Sequence, residues 1–190
     1  FEKDNDRNIF KNFIEYIRFP FFKNFEKDLK VNFTFPITFI AGLNGSGKSS
    51  LLHALYGSPK GKSVADYWFT TDLDPIKDLK GDRNCLIYSF KTPVTKRQVE
   101  GLKQRSGEKK GIDYWEPAEP KISYNMEKLP DDADLSEASK DRWNQLDKNV
   151  YLMDFRYSIN AYDRYFYFGN RPKTRTLKSK QDIIRKYAPK

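Results

Sequence analysis

Gly42, Gly47, Lys48 and Ser49 stand at the spacing G-x-x-x-x-G-K-[ST], a set of residue types suited to gripping a nucleoside triphosphate. Glycines at 42, 45 and 47 admit positive φ and put no Cβ between backbone and phosphate. Successive N–H groups of Asn44, Gly45, Ser46 and Gly47 can then form an anion nest at the positive end of a helix. Lys48 would reach the β- and γ-phosphates, the Ser49 hydroxyl would ligate Mg²⁺, and Ser50 would add a contact to the α-phosphate. ATP and Mg²⁺ are the cofactors expected from this pattern. A glycine turn ahead of an ordinary amphipathic helix has a similar spelling, so the flanking elements matter.

Both flanks suit the chemistry. Residues 37–41 (ITFIA) are rich in β-branched and aromatic types and predict a short buried strand, while Leu51, Leu52 and Leu55 recur at helical spacing. Upstream, residues 14–19 (IEYIRF) and 29–35 (LKVNFTF) predict two further strands, with Pro36 introducing the strand of the loop. The expected fold class is α/β: a P-loop core over residues 14–56 beside an antiparallel β-layer.

From residue 14 to residue 56 the order strand, aromatic-basic-aromatic turn, Asp-Leu, strand, I-x-x-I-x-G-x-N-G-x-G-K-S-x-L-L-x-A-L resembles the amino-terminal lobe of ABC-type ATPase heads of the SMC, RecF and OLD families. Phe22, Lys23 and Phe25 fall where those families carry N-F-[RK]-x-F, with Phe21 in place of the usual Asn and Lys27 lengthening the turn. The resemblance implies that Lys23 faces the nucleotide phosphates. A second reading of the same turn makes Phe22 and Phe25 core aromatics and leaves Lys23 solvated. The resemblance also implies a second ATPase protomer, in a homodimer or higher homo-oligomer, completing the ATP site. Its implied settings are prokaryotic antiviral defence of the Septu or retron-associated kind, with a nuclease subunit, or DNA repair on nucleic acid. A nucleotide-dependent scaffold that binds ATP without turnover is the alternative, and a small-molecule P-loop kinase is disfavoured by the β-rich pattern.

Beyond residue 56 the chemistry thins. A β-rich insertion region is expected over 57–170 and a basic helical tail over 171–190. A short strand around 67–70, a strand over 85–90 and another over 121–126 are expected. Residues 91–110 read as a basic helix or mobile loop, with glycines at 101, 107 and 111 favouring the loop, 112–120 as a rigid extended turn with two prolines, and 130–145 as a helix capped by Ser136 or Asp134. Asp72 and Asp74 read as turn formers. The Asp78–Gly81 spelling D-x-x-G reads as coincidence. LSEAS at 135–139 lacks the glycines of an ABC signature. Residues 150–155 (VYLMDF) end an apolar run in Asp154, the one candidate acid for Mg²⁺, but Phe155 and Arg156 follow where a catalytic acid would stand. The aromatic and basic stretch 157–169 suits either strand packing or base stacking.

Composition narrows the class. A chain of 190 residues with 15 Phe, 12 Tyr and 3 Trp can bury a core even at 32% charged residues. No apolar run approaches a membrane span, so no membrane partner is expected. The lone Cys85 excludes an internal disulfide and predicts a core thiol in a reducing, cytoplasmic setting. The lone His53, with no Ser-His-Asp or zinc spacing, leaves no other hydrolytic centre. A net charge of +9, with eight Lys or Arg over residues 171–190, suits either a polyanionic partner or a solvated helical face.

Overall fold

A computed structural model describes residues 13–34, 37–70, 75–78, 82–109 and 112–153. Its centre is a five-stranded sheet in the order β2-β1-β3-β4-β5, every neighbouring pair antiparallel. The strands are Tyr16–Phe21 (β1), Leu29–Asn32 (β2), Cys85–Lys91 (β3), Gln98–Lys109 (β4) and Ile112–Ala118 (β5). Between β2 and β3 the chain leaves the sheet to make the one α-helix among the described residues, Lys48–Gly57 (α1), and a 3₁₀ turn, Val64–Asp66.

Strand alternation sorts the two faces of the sheet. Ile17, Phe19, Leu86, Tyr88, Phe90 and Val99 pack with Leu51 and Ala54 of α1 and with Val64, which seats the helix on the sheet. The other face carries Cys85, Ile87 and Leu102, covered by Tyr124 and Met126 from the segment after β5. Burial pushes the Cys85 thiol up to about 11, so it stays protonated and inert. Two irregularities bend the sheet. β1 slips against β3 between Arg18 and Phe21, where Pro20 has no N–H to give a ladder. β4 bulges against β5 between Arg105 and Gly107, and Gly107 takes φ 86°.

The strands expected over 14–19, 29–35 and 85–90 form as β1, β2 and β3, shifted by a residue or a few at their ends. Other expectations are corrected. Residues 37–41 are not a strand: among the described residues no strand lies beside them to supply a ladder, and Ile37 and Phe39 are 73% and 92% exposed. The loop expected over 91–110 is instead largely strand β4, which pairs on both sides over residues 98–109 and buries Val99, Leu102, Lys103 and Arg105. Residues 112–120 are extended, but as strand β5. Residues 121–126 form a 3₁₀ turn, Ile122–Tyr124, that ends at left-handed Asn125, and 67–70 are irregular.

The helix over 130–145 is replaced by a small hairpin, Ala138–Ser139 (β6) with Arg142–Trp143 (β7). Its organiser is Glu137, buried and accepting from Val94 N–H at 2.5 Å, Thr95 N–H at 3.2 Å and Thr95 Oγ1 at 2.6 Å. Burial opposes its charge, yet these donors hold the carboxyl below its ordinary range. Asp134 bonds Ser136 N–H at 2.8 Å, making a turn rather than a helix start. Asp72, Asp74, Asp154, the aromatic stretch 157–169 and the tail 171–190 lie outside the described residues. Among the described residues no helix is long and apolar enough to cross a membrane.

Gly101 sits opposite Tyr88 in the β3–β4 ladder, and an added Cβ would stand 2.8 Å from the Tyr88 ring, which is itself buried and hemmed in. Gly101→Ala is expected to lower stability by about 1–3 kcal/mol through overpacking. Urea denaturation checks this, and an unchanged midpoint would mean that the ring has room to move.

Candidate phosphate-binding site

Residues 42–47 form an exposed turn closed by a 3.2 Å hydrogen bond from Ser46 N–H to Leu43 O. Gly47, at φ 89°, hands the chain to α1, and Leu51 N–H donates to Gly47 O at 2.9 Å. The amino end of α1 carries no side-chain cap and no acidic residue in its first turn. Its leading N–H groups and the positive end of its dipole are thus left to an external acceptor. Lys48 donates from Nζ to Gly42 O at 2.8 Å and to Leu43 O at 2.7 Å, so its ammonium lies across the loop. A phosphate oxygen is a better acceptor for that ammonium than a carbonyl.

Asn44, Gly45, Ser46 and Ser49 are exposed, and Gly47, Lys48 and Ser50 are half-buried. A cationic and N–H donor set without carboxylates fits a polyphosphate. Among the described residues no group of acids, His and Cys could hold a metal ion by itself.

The turn after β1 is fastened to the loop through Phe25. Its ring packs against Gly47 so closely that a Cβ there would overlap Phe25 Cε1. Phe25 is in turn held by Phe19 and Phe22, with ring centroids 4.9 and 5.6 Å away. Phe22 is fully buried, so the core reading of the aromatics holds for it, but Lys23 is not merely solvated. Lys23 is half-buried in the left-handed conformation at φ 52°, and its Nζ lies 4.6 Å from the Trp68 ring centroid. Beside it opens a cleft of about 530 Å³ lined by Lys23, Asn24, Trp68, Ile76, Lys77 and Asn84.

A buried polar network holds the Lys23 turn. Lys23 N–H donates to Asn84 Oδ1 at 2.9 Å, and the Asn84 amide donates to Asp78 Oδ1 at 2.9 Å and to Lys77 O at 3.2 Å. Asp78 Oδ2 accepts from Arg105 Nη1 at 2.6 Å, and Arg105 grips Asp113 Oδ1 through Nε at 2.9 Å and Nη2 at 2.6 Å. Thr70 joins through its N–H to Asp113 and by accepting from Arg105 Nη2 at 3.1 Å. Burial alone would raise the Asp78 carboxyl, but bonds from Asn84 and the Arg105 guanidinium hold it below its ordinary value.

Phe25 thus ties the turn that carries Lys23 to Gly47 of the loop, Lys23 Nζ itself lies over Trp68, and Asp154 lies outside the described residues. Sequence reasoning passed over Asn84, Arg105 and Asp113, and it set Asp78 aside as part of a chance D-x-x-G; its role here is structural. The available signal was in β4, whose period of two puts Lys103 and Arg105 on the same face as Val99 and Gly101. Cations on an apolar face imply buried partners. His53 stacks on Tyr67 with ring centroids 4.9 Å apart.

Gly47→Ala is expected to displace Phe25 and strain the loop, weakening nucleotide binding at least tenfold by calorimetry, with Phe25→Ala restoring part of the loss in the double variant. Full affinity in Gly47→Ala would show that the contact does not constrain the loop. A depressed carboxyl contributes stability that is complete above its unfolded value, near 3.9, and lost as pH falls through the folded value. Acid titration of stability should thus show a loss below about pH 4 that is reduced in Asp78→Asn, measured by circular dichroism. Identical acid limbs would place Asp78 outside the network.

Residues 17–187, from β1 to near the carboxyl end, match the family model described as an AAA domain. No curated protein and no solved structure matches the chain. That family match and the loop of residues 42–49 agree on nucleotide-binding, ATPase-like function. The chain belongs to the AAA domain family.

Proposed function

We propose that this chain binds ATP with Mg²⁺ at residues 42–50 and supplies one half of an ATPase site that a second protomer completes, as in the ABC-type heads its first strands and loop resemble. The observation that carries the reading is the amino end of α1: N–H groups without a cap, no acid in the first turn, and Lys48 already drawn across the loop. Asn44, Gly45, Ser46, Gly47 and Ser50 surround the phosphates, Ser49 ligates Mg²⁺, and Mg²⁺ supplies charge neutralisation between phosphate oxygens when bound.

Lys23 approaches the phosphates from the β1–β2 turn. The cleft between Lys23 and Trp68 leaves room for the ribose or base, with the Trp68 ring as an apolar wall. Supporting a protomer partner is the exposure of the loop and of Phe39 and Leu43 beside it. The net charge of +9 supports a polyanionic partner such as nucleic acid. A nuclease subunit, and a setting in antiviral defence or DNA repair, follow from the resemblance.

Removing the Lys48 ammonium takes away a charge-assisted contact worth about 1.5–3 kcal/mol. Lys48→Ala should therefore bind MgATP about 10- to 150-fold more weakly than the parent protein. Calorimetry reads the affinity and a phosphate-release assay reads turnover. Equal affinity in the variant would overturn the site, whereas binding without Lys48-dependent phosphate release would make the protein a nucleotide-ordered scaffold.

A further inference from the structure

Lys103 lies within β4 on the face that packs against α1, and only 3% of it is exposed. An ammonium has three donors, and here they meet three carbonyls: Gly57 O at 2.7 Å, Pro59 O at 3.2 Å and Lys62 O at 2.7 Å. All three belong to the last residue of α1 and the turn that follows it. The helix has no basic residue in its own last turn, so the charge that complements its carbonyl end comes from the sheet. Gly57 is pressed against Val64, whose N would stand 2.6 Å from an added Cβ, and Ser58 Oγ ties back to Ala54 O at 2.7 Å. The carboxyl end of α1 is thereby locked to β4, and the helix is a rod of about 15 Å that carries Lys48 and Ser49 at its other end.

We infer that Lys103 is a positioning residue for the phosphate loop: its three-carbonyl clamp sets the placement of α1 on the sheet, and nucleotide affinity depends on the ammonium form that makes the clamp. This rests on the nucleotide-binding reading above and adds a control to that site. A neutral amine keeps two N–H donors and turns a lone pair toward one carbonyl, so the clamp loses a bond on deprotonation. Burial lowers the Lys103 ammonium to about 8, with Asp66 pulling the other way.

The other charged or titratable groups nearby are few. Asp66 lies on the 3₁₀ turn. Lys62 has its ammonium over the Tyr56 ring at 5.3 Å, Lys60 pairs with Asp147 at 4.0 Å, and burial pushes Tyr56 up to about 12. The ladder neighbours of Lys103 are Leu86 and Pro117, which do not titrate. Because the folded value lies below the unfolded one near 10.4, the folded chain gives up this proton first. Deprotonation thus raises global stability between about pH 8 and 10.4 while loosening the clamp.

The test is MgATP affinity by calorimetry from about pH 7 to about 9.5, in the parent protein, Lys103→Arg and Lys103→Met, with thermal unfolding followed in parallel. The expected result is a parent affinity that falls about tenfold or more across this range without loss of stability, a Lys103→Arg affinity that stays level, and a Lys103→Met affinity that is weak throughout. A level parent profile, or the same decline in Lys103→Arg, overturns the inference; if Lys103→Met does not fold, the arginine comparison decides alone. If the parent binds no MgATP at any pH, the site reading fails. Amide exchange at residues 54–57 then tests the clamp separately: faster exchange in the parent than in Lys103→Arg above pH 8 upholds it, and equal exchange overturns it.

Discussion

The phosphate loop hangs on the contact between the Phe25 ring and Gly47. Residues 37–41 have no ladder among the described residues, so the entry to the loop is not fixed by strand pairing. Placement comes instead from an aromatic stack, Phe19 on β1 to Phe25 to Gly47, which passes the position of the sheet to the loop. The stack demands glycine twice over, for space and for φ 89°. It also demands a turn after β1 tight enough to aim Phe25, and that turn takes Lys23 and Asp28 into the left-handed region at φ 52° and 60°. Each such residue costs about 1–2 kcal/mol. Asn84 at Lys23 N–H and Phe19 O at Asp28 N–H are the bonds that offset it.

Charge inside the molecule has the same purpose. Burying a cation costs several kcal/mol unless its donors are met, and both core-facing cations of β4 make several hydrogen bonds. Lys103 uses carbonyls at the end of α1, and Arg105 uses two carboxylates and a threonine. Each reaches from the sheet to a segment that has little regular structure of its own: the turn after α1 in one case, residues 70 and 78 in the other. Directional bonds hold such segments where apolar packing, which is non-directional, would allow them to slide.

The candidate loop and the helix that follows it were legible because their rules are local. The P-loop spacing needs no tertiary knowledge, and helix α1 begins at Lys48 as the Lys-Ser pair and following leucines imply. β1, β2 and β3 were legible from alternation and β-branched content. β4 was not, since glycines and cations suggested a loop, and only pairing on both sides with β3 and β5 makes Lys103 and Arg105 interior residues. The hairpin around Glu137 was missed for a related reason. Its local caps suggest a helix, and the three donors that hold the carboxylate come from residues 94 and 95, more than forty positions away. Apolar character misled at residues 37–41, where a strand-like composition met no neighbouring edge.

The net charge of +9 is a coarse guide to partners because it does not say which charges are exposed and which are buried and paired. Arg18 forms a two-pronged pair with Glu100 at 2.7 and 2.8 Å and donates to Tyr124 O at 2.6 Å, which fastens the segment after β5 over the second face of the sheet. Arg105 is neutralised by Asp78 and Asp113, and Lys103 is enclosed by carbonyls. A passing polyanion feels an exposed charge far more than a buried and paired one. Lys48 lies across the loop, and Lys23 and Lys77 line a cleft beside the turn after β1. Local arrangement, not the total, is what the phosphate-site proposal rests on.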